Sequence, residues 1–130
     1  MKRILTACVL VLASAQAIAE PAWVEWSKTS KIAWYVDANS VRRSGTDGVA
    51  MWVKYVLPVP DAEHQNAKAS VIHLDYRCGA PFVGIDSMAI YDGNGRLILT
   101  NEQFSKVSAP PGSVYEDMMD GGCKVAYRKQ

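Results

Sequence analysis

The residues of this chain with the chemistry to act are few: three cysteines, two histidines and four tryptophans. A cysteine reacts or ligates as a thiolate, and a metal site needs several Cys, His, Asp or Glu side chains at characteristic spacings. His64 lies in a polar stretch and His73 in an alternating one, and neither has a neighbour at ligand spacing. His73 and Asp75 project from one strand face and are close enough to hydrogen-bond, but a solvated polar face explains them as well. Asp92-Gly93-Asn94-Gly95 superficially matches a calcium loop but lacks the downstream glutamate, so it reads as a tight turn. A nucleophile also needs a base and a group that orients it. The sequence offers no such set, so a non-enzymatic protein without metal or other cofactor is expected.

The cysteines point to structure instead. Lys2 and Arg3 precede an apolar run at residues 4–13, and Ala17-Ile18-Ala19 is a small-residue cleavage pattern. A leader of residues 1–19 is therefore expected, with the cut between Ala19 and Glu20 and one domain over residues 20–130. Leu5-Thr6-Ala7-Cys8 matches the short pattern before a lipid-modified cysteine, but the apolar run follows Cys8 rather than preceding it. An exported chain without a lipid anchor is the expectation. The run is also too short to span a bilayer, which takes about 20 residues, and no later segment is longer, so no transmembrane segment is expected.

Losing Cys8 with the leader leaves Cys78 and Cys123. Two cysteines in an exported domain favour a disulfide, worth roughly 4 kcal/mol for a loop of this length. The leader also removes two of the 14 basic residues, leaving 12 against 13 acidic ones and a net charge of −1. Nucleic acid, which wants a basic face, is not an expected partner.

The stretch ending at Cys78 anchors the fold. Ile72, Leu74, Tyr76 and Cys78 alternate with Val71, His73, Asp75 and Arg77, the pattern of a strand with one buried and one wet side. Other β-rich runs lie at residues 22–27, 32–36, 49–57, 82–91 and 96–100. Asp37 is placed to cap a single helical turn to about residue 43, and Pro58 and Pro60 should stop the third strand. Residues 61–68 read as the least structured stretch, Gly84 as a bulge or bend, Asp92 to Gly95 as a hairpin turn and residues 101–109 as loosely apolar. Ser113 and Glu116 fit a capping box before a helix from 114 to about 120, with Gly121-Gly122 as its stop and a last short strand at 123–127. The sum is an α+β domain: an antiparallel β-sheet meander with a C-terminal helix packed on it and one disulfide.

Trp23, Trp26, Trp34 and Trp52 all fall in the first half, and the odd spacing of Trp23 and Trp26 puts them on opposite strand faces. Trp52 is opposite the Met51, Val53, Tyr55 row, so at least one indole belongs to a less buried side. Interfaces draw their energy from a few Trp, Tyr and Arg residues. A partner is accordingly expected around Trp26, Trp52, Arg42 and Arg43, the last two being the paired positive charge after the leader.

The order Trp23, Tyr35-Val36-Asp37, Ser40-Val41, Met51-Trp52, the Cys78 strand, Tyr91 to Gly95, Pro111-Gly112-Ser113 and Cys123 resembles the surface-adhesin protein E family of Gram-negative bacteria. The resemblance covers nearly all of the chain after the leader. It implies a small antiparallel sheet with a helix, a disulfide matching Cys78 and Cys123, and a place in the periplasm or on the outer cell surface. The family's namesake is an outer-membrane lipoprotein that binds host matrix and serum proteins. This chain departs from the pattern after Cys78, where Gly79-Ala80-Pro81-Phe82-Val83-Gly84 carries no positive charge, and at Phe104, where the family usually has tryptophan. The resemblance implies a binding module for a host or envelope protein; the alternative is an envelope housekeeping role in the periplasm with no external ligand. Apart from the resemblance, a homo-dimer is compatible with the sequence.

Overall fold

The computed structural model describes residues 20–128, so the expected leader, with Ala19 of the cut, lies outside the described residues. The two longest alternating runs pair with each other. Strand β4 (Gly48–Asp61) lies antiparallel to β5 (Ala67–Arg77), with Met51 opposite Leu74 and Trp52 opposite His73. Opposed residues share a face, so Val49, Met51 and Val53 join Ile72, Leu74 and Tyr76 on one side. These are the centre of the core, and Val49, Met51, Val53 and Leu74 have no exposed surface. Each contributes about 1.5–3 kcal/mol by leaving water.

Around this pair the chain adds β1 (Trp23–Lys28), β2 (Ala33–Asp37), β3 (Arg42–Ser44), β6 (Phe82–Asp92), β7 (Leu97–Asn101) and β8 (Ser105–Ser108), and then the helix α1 (Val114–Ala126). The sheet runs β1-β2-β4-β5-β6-β7, every pair antiparallel. Strands β2 and β3 follow one another along β4, and β7 and β8 do the same along β6. The α+β architecture, the C-terminal helix and the Cys78–Cys123 disulfide agree with the sequence reading, with Cα atoms 6.0 Å apart at the bond.

Several boundaries differ, each for a local reason. Asp37 does cap a turn, its Oδ1 accepting from the Asn39 amide, but the helical turn expected to residue 43 is absent: Arg42–Ser44 is β3, drawn onto the free edge of β4. Pro58 and Pro60 do not end β4. The ladder with β5 skips from Val56 to Asp61, so both prolines occupy an irregular stretch where no donor is required. The bulge in β6 is at Asp86, where the register shifts between His73 and Leu74, and not at Gly84. Gly84 is small for another reason: a Cβ there would strike the Phe104 ring and the Asp75 carbonyl. Within residues 101–109, β8 forms because β6 extends past β7 and offers an open edge.

The largest correction is the helix. Ser113 caps it as expected, its Oγ accepting from the Glu116 amide at 3.2 Å, while Glu116 Oε1 accepts from the Gly112 amide. Gly121 and Gly122 do not stop it; neither takes the left-handed φ of a helix-ending glycine, and Cys123 lies inside the helix rather than in a last strand. Both glycines are there for close approach. A Cβ on Gly121 would enter the Trp26 indole, and one on Gly122 would enter the Tyr76 hydroxyl. The helix thus lies on the face carrying Met51 and Tyr76 and leaves the opposite face of the sheet uncovered.

Candidate functional site

The uncovered face is set by register. Tyr35 lies opposite Lys54 and Trp52 opposite His73, so these four alternate with core residues and point away from the helix. Trp23, opposite Asp37, joins them from the edge strand. The Lys54 ammonium lies 4.5 Å from the Trp23 ring centre and 5.2 Å from that of Tyr35, and partial burial pulls its pKa below the ordinary lysine value. The Trp52 and His73 rings are 4.8 Å apart at a tilt of 55°.

His73 was expected on a wet face beside Asp75. It is instead buried, 9 % exposed, and its partner is Asp86. The extra residue of the β6 bulge brings Asp86 within 2.6 Å of His73 Nδ1, which donates to the carboxylate. Asp75 accepts from Ser44 Oγ at 3.1 Å. The pair orients the imidazole, which packs at a tilt against the Trp52 indole. Among the described residues, no cluster of three or more His, Cys, Asp or Glu is placed to hold a metal ion.

Beside Trp52 the face opens into a groove of about 490 Å³, walled by Trp23, Trp52 and Tyr91 and rimmed by Asn39, Thr100 and Glu102. Its far wall comes from the end of β7 and its near wall from the chain ahead of β1. Further along the same face the Phe104 ring covers Gly84, and the Lys106 ammonium lies 4.6 Å from the centre of the Phe82 ring.

The four residues named from sequence as a partner site divide between the two sides. Trp52 and Arg42 share the uncovered face, since Arg42 lies opposite Ala50. Trp26 is the extra residue of a bulge in β1, which turns its indole onto Gly121 of the helix and leaves it 41 % exposed. Arg43 is tied to the helix end, donating from Nε to the Ala126 carbonyl at 2.8 Å and stacking 4.7 Å from the centre of the Tyr127 ring. Trp34 is in the core, edge-on to Tyr55 and Tyr115.

Sequence reasoning missed Tyr91, Asp86 and the role of Trp23. Odd spacing already separated Trp23 from Trp26, but only the register of β1, β2 and β4 puts Trp23 on the face of Trp52. Asp86 left no signal, because a bulge residue is visible only against its partner strand.

The chain matches the family described as surface-adhesin protein E over residues 23–124, and no curated protein matches it. The matched span includes all eight strands and both cysteines of the bond. On that extent of agreement, the chain belongs to the surface-adhesin protein E family.

Proposed function

We propose that this protein is an exported binding module of the bacterial cell envelope that holds a macromolecular partner, a host or envelope component, without catalysing a reaction. The observation that supports this reading is the uncovered sheet face, where Trp52 and Trp23 stand partly exposed on a rigid floor. An aromatic side chain held by packing gives large contact area at low ordering cost, which is what an interface anchor needs. The His73–Asp86 pair supplies that rigidity for Trp52. Arg42 extends the contact on the same face.

Trp26 supports a second, separate contact surface on the helix side, where its indole lies in a small apolar groove with Val24 and Val125, all three exposed. Binding of the exported protein to immobilised matrix or serum proteins and to isolated envelope separates the two surfaces. Loss of binding with Trp52→Ala or Arg42→Glu, and retention with Trp26→Ala or Arg43→Glu, supports the uncovered face; the reverse moves the contact to the helix side. Surface labelling of intact cells decides between adhesion and a housekeeping role in the periplasm. A protein protected from label, with no matrix binding by any variant, would sink the adhesive reading.

A further inference from the structure

We infer that the groove on the uncovered face is a binding site for a neutral oligosaccharide, with Trp23, Trp52 and Tyr91 as its stacking surfaces. The inference rests on the proposed use of that face for binding and names its ligand. The groove's volume of about 490 Å³ is within the range of roughly 300–1,000 Å³ typical of small-ligand sites. Its floor is paired sheet, with Trp52 opposite His73 and His73 opposite Ser87. The floor's backbone groups are engaged in the ladders, so an added strand has nothing to pair with and recognition must come from side chains.

Those side chains are of two kinds. The three rings make no ring–ring contact with one another. Trp23 already carries the Lys54 ammonium 4.5 Å from its ring centre, so a cationic ligand would meet a like charge there. A pyranose ring has an apolar C–H face and a rim of hydroxyls, so a short chain of such rings would meet successive aromatic surfaces and put its hydroxyls at the polar rim.

Asp37 is the clearest polar group there. It is buried to all but 7 % and lines the groove. Its Oδ1 is fixed by the amides of Ala22 at 2.9 Å and Asn39 at 3.0 Å, while Oδ2 carries no hydrogen bond among the described residues. A fixed carboxylate oxygen with a free lone pair is an acceptor for a sugar hydroxyl. Glu102 adds a second carboxylate, and no lysine, arginine or histidine lines the groove, although the Lys54 ammonium rests against the Trp23 ring and offsets part of that negative charge. That charge balance disfavours sulfated, phosphorylated or uronic-acid glycans and leaves the neutral class.

The test uses the full exported chain, with maltotriose, cellotriose and chitotriose as neutral probes. A heparin-derived oligosaccharide and an arginine-rich peptide are the charged controls. Tryptophan fluorescence and calorimetry should show saturable binding of at least one neutral trisaccharide. Trp52→Ala and Asp37→Asn should each weaken it about tenfold or more, roughly the loss of one good contact, and Trp26→Ala should leave it unchanged. Trp52→Phe, Thr100→Ala and Glu102→Gln, checked by thermal melts, cover the case in which Trp52→Ala fails to fold. No neutral binding at millimolar concentration, binding indifferent to every groove variant, or preference for heparin or the peptide would each overturn the inference. Matrix binding that is lost in Trp52→Ala while no sugar binds would remove the oligosaccharide alone. Matrix binding that survives every groove variant would remove the uncovered face as the binding surface.

Discussion

The phenolic hydroxyl of Tyr76 on β5 donates a 3.0 Å hydrogen bond to the Met119 carbonyl of α1, and it reaches that carbonyl across the bare Cα of Gly122. One residue pair therefore sets how closely helix and sheet approach. In an ordinary helix interior, replacing glycine by alanine gains about 1 kcal/mol. Here the new methyl would meet the Tyr76 hydroxyl and lie 3.0 Å from Met51 Sδ. Gly122→Ala should lose about 1–3 kcal/mol net, the usual cost of overpacking. Tyr76→Phe should restore part of the loss, and denaturant unfolding of the four-member mutant cycle measures the coupling. Additive effects would mean the two residues do not constrain each other.

The same tyrosine predicts an alkaline limit. Burial, reinforced by the negative charge of Asp120, pushes its pKa well above the ordinary value of about 10. The unfolded chain therefore loses the phenolic proton first. The stabilisation is fully present below about pH 10 and is lost as pH rises toward the folded-state pKa. Burial raises Tyr115 in the same direction. Stability measured from pH 8 to 11 should fall steeply in the wild type and less steeply in Tyr76→Phe, which starts about 1 kcal/mol lower through the lost hydrogen bond. Parallel curves would show that Tyr76 does not carry the effect.

The Cys78–Cys123 bond joins the end of β5 to the last turns of α1, spanning 45 positions. Cys123→Ser should cost about 2–5 kcal/mol. Much of that should appear as release of the helix, read as lost protection of its amides in hydrogen exchange while β4 and β5 stay protected. Alkylation of two thiols in denatured, unreduced protein would refute the bond.

Arg43 and Tyr127 hold the same C-terminal end of the helix to the sheet, with Tyr127 Oη donating to the Gly48 carbonyl at 2.7 Å. Arg43→Ala removes a stacking contact and a charged hydrogen bond, and should cost about 1–2 kcal/mol. Arg43→Lys should recover little, because a lysine lacks the planar fork. Equal stability of Arg43→Lys and wild type would show that the charge alone suffices.

The proposed leader gives a test independent of the fold. The exported protein should begin at Glu20, and intact-mass measurement decides it; a mass matching an acylated N-terminal Cys8 would instead place the chain on a lipid anchor.

Strand β5 was legible in the sequence because strict alternation is a local property, each residue's face following from its neighbour's, and most of β4 was legible as a run of β-formers. The capping residue Ser113, the turn at Gly95 and the pairing of two remaining cysteines were legible for the same reason, since turn chemistry and cysteine number need no knowledge of distant contacts. Tertiary structure decided whatever depends on what lies opposite. Gly121-Gly122 reads locally as a stop, yet the helix passes through because Trp26 and Tyr76 need the space and packing outweighs propensity. Strands β3 and β8 exist because longer partners had unfilled edges. The placement of Trp23 beside Trp52, and of Asp86 against His73, arose from one register and one bulge. A face assembled across six strands has no signature along any one of them.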